Sequence, residues 1–100
     1  MKLIEIEPYE WELYQDRDGI YLKIQIDNSA VSWSFAICLD QQAKNDYQIN
    51  GKPSINNLAK RIESSLLRHD YDRFYAYPNV SKLQKEQMLQ AFQLWKKQYT

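Results

Sequence analysis

From Tyr9 to Leu39, apolar and polar positions alternate along the chain, and turn-forming residues interrupt the pattern twice. Tyr9, Trp11 and Leu13 fall on one side, with Glu10, Glu12 and Tyr14 on the other. After Asp16-Arg17-Asp18-Gly19, Ile20, Leu22, Ile24 and Ile26 alternate with Tyr21, Lys23 and Gln25. After Asp27-Asn28-Ser29, Val31, Trp33, Phe35, Ile37 and Leu39 alternate with Ser32, Ser34, Ala36 and Cys38. A period of two predicts strands with one buried face, and Gly19 is free to take positive φ in the first turn.

Closing the first turn pairs Leu13 with Leu22 and Trp11 with Ile24, and sets Glu12 beside Lys23 and Tyr14 beside Tyr21. Closing the second pairs Ile26 with Val31, Ile24 with Trp33 and Leu22 with Phe35. Inward residues meet inward residues in both hairpins, and a slip of one would invert a face. Residues 3–7 read as a further short strand with Ile4 and Ile6 inward, bent at Pro8. Residues 40–53 are polar; Asn50-Gly51 and Pro53 mark a loop in which Tyr47 and Ile49 add at most a short edge strand.

The pattern then changes period. Ile55, Leu58, Ile62 and Leu66 recur at helical spacing after Ser54, a suitable N-cap. Ser81 and Gln84 form a capping-box pair ahead of Met88, Phe92, Trp95 and Tyr99, with Lys96 and Lys97 near the C-terminal dipole. The aromatic segment Tyr71–Pro78 and its surroundings, residues 68–80, fit neither period. The expected fold is one α+β domain over 1–100: an antiparallel meander of three to five strands with two C-terminal helices on one face. Trp11, Leu22, Ile24, Trp33, Phe35, Phe92 and Trp95 form its expected core, with the strand and helix aromatics meeting in one layer.

Composition agrees with this picture. One hundred residues, 44% of them apolar, suffice for one two-layer core. Cys38 is the only cysteine, so no internal disulfide is possible, which favours a reducing compartment. No apolar run reaches membrane-spanning length and the first residues lack a signal-peptide core. The expected location is the cytoplasm.

Catalytic chemistry finds little footing. Zinc needs three or four ligands, against one Cys and one His here, so neither metal nor cofactor is expected. Arg68-His69-Asp70-Tyr71-Asp72 reads as a helix C-terminus with dipole-friendly cations. A Cys38–His69 nucleophilic pair lacks any feature that would bring the two together. Two glycines allow no phosphate loop or dinucleotide fingerprint. Glu10/Glu12 and Asp16/Asp18 are paired carboxylates with no implied pocket. No catalytic residue is assigned and the chain is not expected to be an enzyme.

Binding is the better expectation. Net charge is zero, yet residues 1–18 carry six acidic side chains (Glu5, Glu7, Glu10, Glu12, Asp16, Asp18) against Lys2 and Arg17. Glu10, Glu12, Tyr14, Asp16, Asp18 and Tyr21 are the candidate partner-binding residues. Acidic and tyrosyl groups on one sheet face suit a Lys/Arg-rich protein, with electrostatic steering and low-entropy aromatic contacts. Nucleic acid could stack on Tyr14 and Tyr21, but the acidic face and a sequence pI near 6.6 oppose it. Neither a small molecule nor a membrane is an expected partner.

The layout resembles small bacterial immunity proteins paired with contact-dependent growth-inhibition or other polymorphic toxins. The resemblance rests on size, on a meander holding Trp11 and Trp33, and on the Ser54–Leu67 and Ser81–Tyr99 helices. It implies a non-catalytic antitoxin-like inhibitor that binds one cognate toxin domain, often a nuclease, and blocks its active site. The acidic N-terminal region would then imitate nucleic-acid charge. A phage-type inhibitor would leave the same traces, and a structural or adaptor subunit is the alternative.

Overall fold

The structure, a computed structural model, describes residues 1–8, 10–28, 31–67 and 80–99. Four strands, β1 (Lys2–Glu7), β2 (Trp11–Gln15), β3 (Ile20–Asn28) and β4 (Val31–Cys38), form one antiparallel sheet in the order β1-β2-β3-β4. Among the described residues three helices follow: α1 (Gln41–Asn50), α2 (Lys52–Leu67) and α3 (Lys82–Tyr99). The fold is thus α+β, a meander with C-terminal helices.

The first hairpin has the expected register throughout, with Trp11↔Ile24, Glu12↔Lys23, Leu13↔Leu22 and Tyr14↔Tyr21. The second keeps its faces but slides by two residues: Ile26 meets Trp33, Ile24 meets Phe35 and Leu22 meets Ile37. A two-residue slide preserves every side chain's face, so burial alone could not select between the registers. Asn28 opposite Val31 shows that Asp27 and Asn28 extend β3 instead of forming the turn. In β1 a register shift between Leu3 and Glu5 sets Glu5 opposite Leu13 and Ile6 opposite Glu12. Ile4 therefore faces inward as expected, whereas Ile6 lies on the opposite face.

Residues 40–53 are not a loop or an edge strand. Asp40 caps α1, its Oδ1 accepting from the Ala43 N–H at 2.8 Å, and Gly51 ends it at φ +69° with its N–H donating to the Tyr47 carbonyl at 2.7 Å. Only Ala43 of this helix is buried, with Tyr47 half-buried beside the core, so its apolar stripe is too thin to announce a helix. Helix α2 begins at Lys52, two residues ahead of Ser54, with Pro53 in the first turn where its missing N–H costs nothing. Trp11 fastens it to the sheet, its Nε1–H donating to Asn56 Oδ1 at 2.8 Å. Lys52 Nζ stands 2.9 Å from Glu7 Oε2 and above the Trp11 ring.

The helices do not share one face. Ala43 of α1, with Ile55, Ala59 and Ile62 of α2, covers Trp11, Leu13, Leu22, Ile24, Ile26 and Ile37. Helix α3 lies on the other side, where Met88 and Ala91, flanked by Phe92 and Trp95, cover Leu3, Tyr14 and Tyr21. The sheet is a central layer with two cores: Trp11 and Phe35 belong to one, and the helix aromatics Phe92 and Trp95 meet Tyr14 and Tyr21 in the other. Both faces of the alternation are apolar enough to bury, because Tyr14, Tyr21, Ala36 and Cys38 stand between the charged residues. Trp11, Leu22 and Ile24 are fully buried as expected, Phe35, Phe92 and Trp95 half-buried. Trp33 is 39% exposed, because it sits on the sheet's edge strand.

The expected capping box is present: the Ser81 N–H donates to Gln84 Oε1 at 2.9 Å and the Gln84 N–H to Ser81 Oγ at 3.2 Å. The Arg68–Asp72 run, His69 and the Tyr71–Pro78 segment lie outside the described residues.

Candidate partner-binding hairpin

All six candidate binding residues belong to the β2–β3 hairpin or its approach, and the structure divides them. The turn is held by Asp16, whose backbone N–H donates to the Gly19 carbonyl at 3.1 Å. Its Oδ1 accepts from the Asp18 N–H at 2.8 Å, the Gly19 N–H at 3.0 Å and the Tyr21 hydroxyl at 3.0 Å. Asp16 is thus an Asx-turn anchor that also receives a buried phenol. Desolvation works against the charge, but these hydrogen bonds outweigh it and hold the carboxyl below its usual range. Gly19 is not at positive φ, and a Cβ there would meet only ordinary contacts with Cys38 and Tyr21.

Tyr14 and Tyr21 are not on an open surface. They are 0% and 2% exposed, closed over by α3. The Tyr14 hydroxyl donates to Glu12 Oε1 at 2.5 Å, using the shared face of residues two apart on a strand. Burial, then the Glu12 hydrogen bond and charge, drives the Tyr14 phenol far above its ordinary range. Burial and Asp16 push Tyr21 up to about 12. The Tyr21 oxygen also accepts from Gln84 Nε2 at 3.2 Å. A continuous relay therefore runs from the Ser81 N–H through Gln84 and Tyr21 to Asp16, joining the start of α3 to the hairpin turn.

These contacts correct the expectation that the tyrosines dock on a partner: a phenol already bonded and covered by a helix offers neither area nor a hydrogen bond. They also withdraw the stacking platform on which nucleic-acid binding depended. Glu12 and Asp16 are half-buried and committed internally, leaving Glu10 and Asp18 as the exposed acids of the set. These two do not share one end of the strand. Glu10 precedes Trp11 and Asp18 follows Gln15, so at ~3.3 Å per residue roughly 20 Å or more separates them.

The partners of the tyrosines were legible in principle. An acid two residues before Tyr14 on one strand, and an acid at the turn before Tyr21, are spacings that can satisfy buried phenols.

Other chemistry is sparse. Among the described residues no group of three His, Cys, Asp or Glu side chains could hold a metal ion. The half-buried Cys38 thiol faces the α3 layer and donates to the Leu39 carbonyl at 3.8 Å. A hollow on the outer side of α3 is lined by Gln90, Gln93, Leu94, Lys96 and Lys97, with no nucleophile or carboxylate among the described lining residues. No described helix is long and apolar enough to cross a membrane. No protein-family model, curated protein or solved structure matches the chain.

Proposed function

We propose that this chain is a non-catalytic, cytoplasmic inhibitor that binds a basic partner protein through the acidic β2–β3 hairpin, as an immunity protein binds its toxin. The observation that carries the reading is the pair of exposed carboxylates, Glu10 and Asp18, on a hairpin whose register and turn are fixed by internal bonds. Fixed charges on a rigid element steer encounter without an ordering cost. Glu12 and Asp16 add negative charge to the same hairpin while holding Tyr14 and Tyr21. A nuclease domain, with a basic cleft made for phosphates, is the partner class such carboxylates fit.

The test uses a partner captured by the full chain from its source cell. Glu10→Lys with Asp18→Lys leaves both buried phenols bonded, so folding is preserved. At low salt its association rate should fall about tenfold or more, within the range that electrostatic steering supplies. The deficit should shrink at about 0.15 M salt, where the Debye length is about 8 Å. Equal rates for variant and parent at low salt would overturn the reading. The second reading, a structural or adaptor subunit, is favoured by β4, which among the described residues has a strand neighbour on one side only.

A further inference from the structure

The sheet separates two cores that have no residue in common. Among the described residues the first, built around Leu13, Leu22, Ile24 and Ile62, includes nothing of α3. The second, built on Leu3, Tyr14, Tyr21, Val80, Met88 and Ala91, includes nothing of α1 or α2. The polar contacts at the second core are arranged so that the departure of α3 leaves neither phenol without an acceptor. The Tyr14 hydroxyl donates to Glu12 and the Tyr21 hydroxyl to Asp16, both carboxylates of the β2–β3 hairpin itself. To these α3 adds the Gln84 Nε2 donation to the Tyr21 oxygen, a bond that water can replace on each side. The Ser81–Gln84 capping box and the Phe92–Trp95 ring pair, with centroids 5.8 Å apart, both lie on the α3 side and travel with it. A buried hydroxyl stripped of its partner would make separation costly, and the two phenols add no such penalty.

We infer that α3 is a releasable cover, leaving the sheet and returning as one body while the meander, α1 and α2 keep the first core closed. Regions that open below the free energy of global unfolding do so as contiguous cooperative units, and α3 is one helix over one core. The open form presents Leu3, Tyr14, Tyr21, Ala36 and Cys38 together, an apolar and phenolic face that the closed form hides. The hairpin keeps its register in both forms, because its pairing and its Asp16 turn involve no atom of α3. This inference is independent of the acidic hairpin's role and survives its failure.

Amide hydrogen exchange of the full chain in low urea reads the outcome. A single detached helix is marginal in water, so α3 amides exchange from the open form. Those of Met88, Ala91 and Phe92 should share one protection level, about tenfold or more below that of Leu22 and Ile24 in β3. Their urea dependence should also be shallower, since less surface is exposed. The discriminating variant is Ile62→Val, at a fully buried position of the first core. It weakens the closed and open forms alike, so β3 protection should fall by roughly two- to tenfold while α3 protection stays unchanged. Met88→Ala weakens only the closed form and should lower both sets by the same factor. Equal protection and equal urea dependence of α3 and β3 in the parent would overturn the inference. So would a loss in α3 matching that in β3 on Ile62→Val, α3 amides that open one by one from an end, or α3 amides with no protection at all.

Discussion

Raising the pH above 10 should destabilise this protein through two specific tyrosines. Unfolded phenols ionise near pH 10, whereas Tyr21 holds its proton to about 12 and Tyr14 further still. A folded-state pKa above the unfolded one contributes stability that is complete below pH 10 and is lost as pH rises towards the folded value. At pH 11 the unfolded chain gains about 1.4 kcal/mol per such phenol, close to 3 kcal/mol for the pair. That is a large part of the 5–15 kcal/mol typical of a domain, and corresponds to a urea midpoint lower by about 1–3 M. The assay is urea unfolding at pH 8 and pH 11 for the parent, Tyr14→Phe, Tyr21→Phe and the double variant. Each single variant should lack about half of this pair's alkaline loss and the double variant nearly all of it, leaving only the part that the raised Tyr47 adds. Comparing each variant with itself cancels the pH-independent cost of its missing hydroxyl, and the raised Tyr47 is common to all four. An equal loss in the parent and the double variant would refute the burial of these phenols and return them to an open face.

Two further predictions concern single side chains. Ser65 is 0% exposed on the buried side of α2, and among the described residues its Oγ has no hydrogen-bond partner. Ser65→Ala should raise stability by about 1–2 kcal/mol in urea unfolding, from relief of an unmet hydroxyl and better helix propensity; a loss of comparable size would show that the hydroxyl is bonded. The depressed Asp16 carboxyl supplies stability that is present above about pH 4 and is lost as pH falls through its lower folded value. Asp16→Asn should therefore have a shallower acid limb in a thermal-melt series, and an identical limb would refute the role of the turn.

How far the sequence carried the structure differs from element to element for physical reasons. The first hairpin was legible to the residue because a two-faced alternation and a four-residue turn together admit one register. The second was legible only in its faces, since Asp27 and Asn28 can be either turn or strand and a slide of two leaves every contact apolar. Helix α1 was illegible: Ala43 and Tyr47 are too few to show a period, and the Asp40 cap looks like any polar loop residue. The placement of α3 was misread through tyrosine itself. A phenol beside Glu12 and Lys23 reads as surface, yet its ring is apolar and its hydroxyl needs only one acid to be buried. The same misreading assigned Tyr14 and Tyr21 to a binding face and hid the internal work of Glu12 and Asp16. What survives of the candidate site is Glu10 and Asp18, the two acids that no tyrosine occupies.

Helix α3 is the last described element of the chain, yet it rests against β1, the first. During synthesis the meander, α1 and α2 can assemble their own core while Leu3, Tyr14 and Tyr21 still wait for a cover more than sixty residues downstream. Contacts of such long sequence separation form late and slowly. For that interval the nascent domain shows an apolar sheet face as well as an uncharged strand edge, the two features that draw unfolded chains together. A premature stop ahead of Met88 would make the interval permanent. The truncated product would keep one of its two cores and should partition into aggregates or chaperone complexes, whatever the fate of its acidic hairpin.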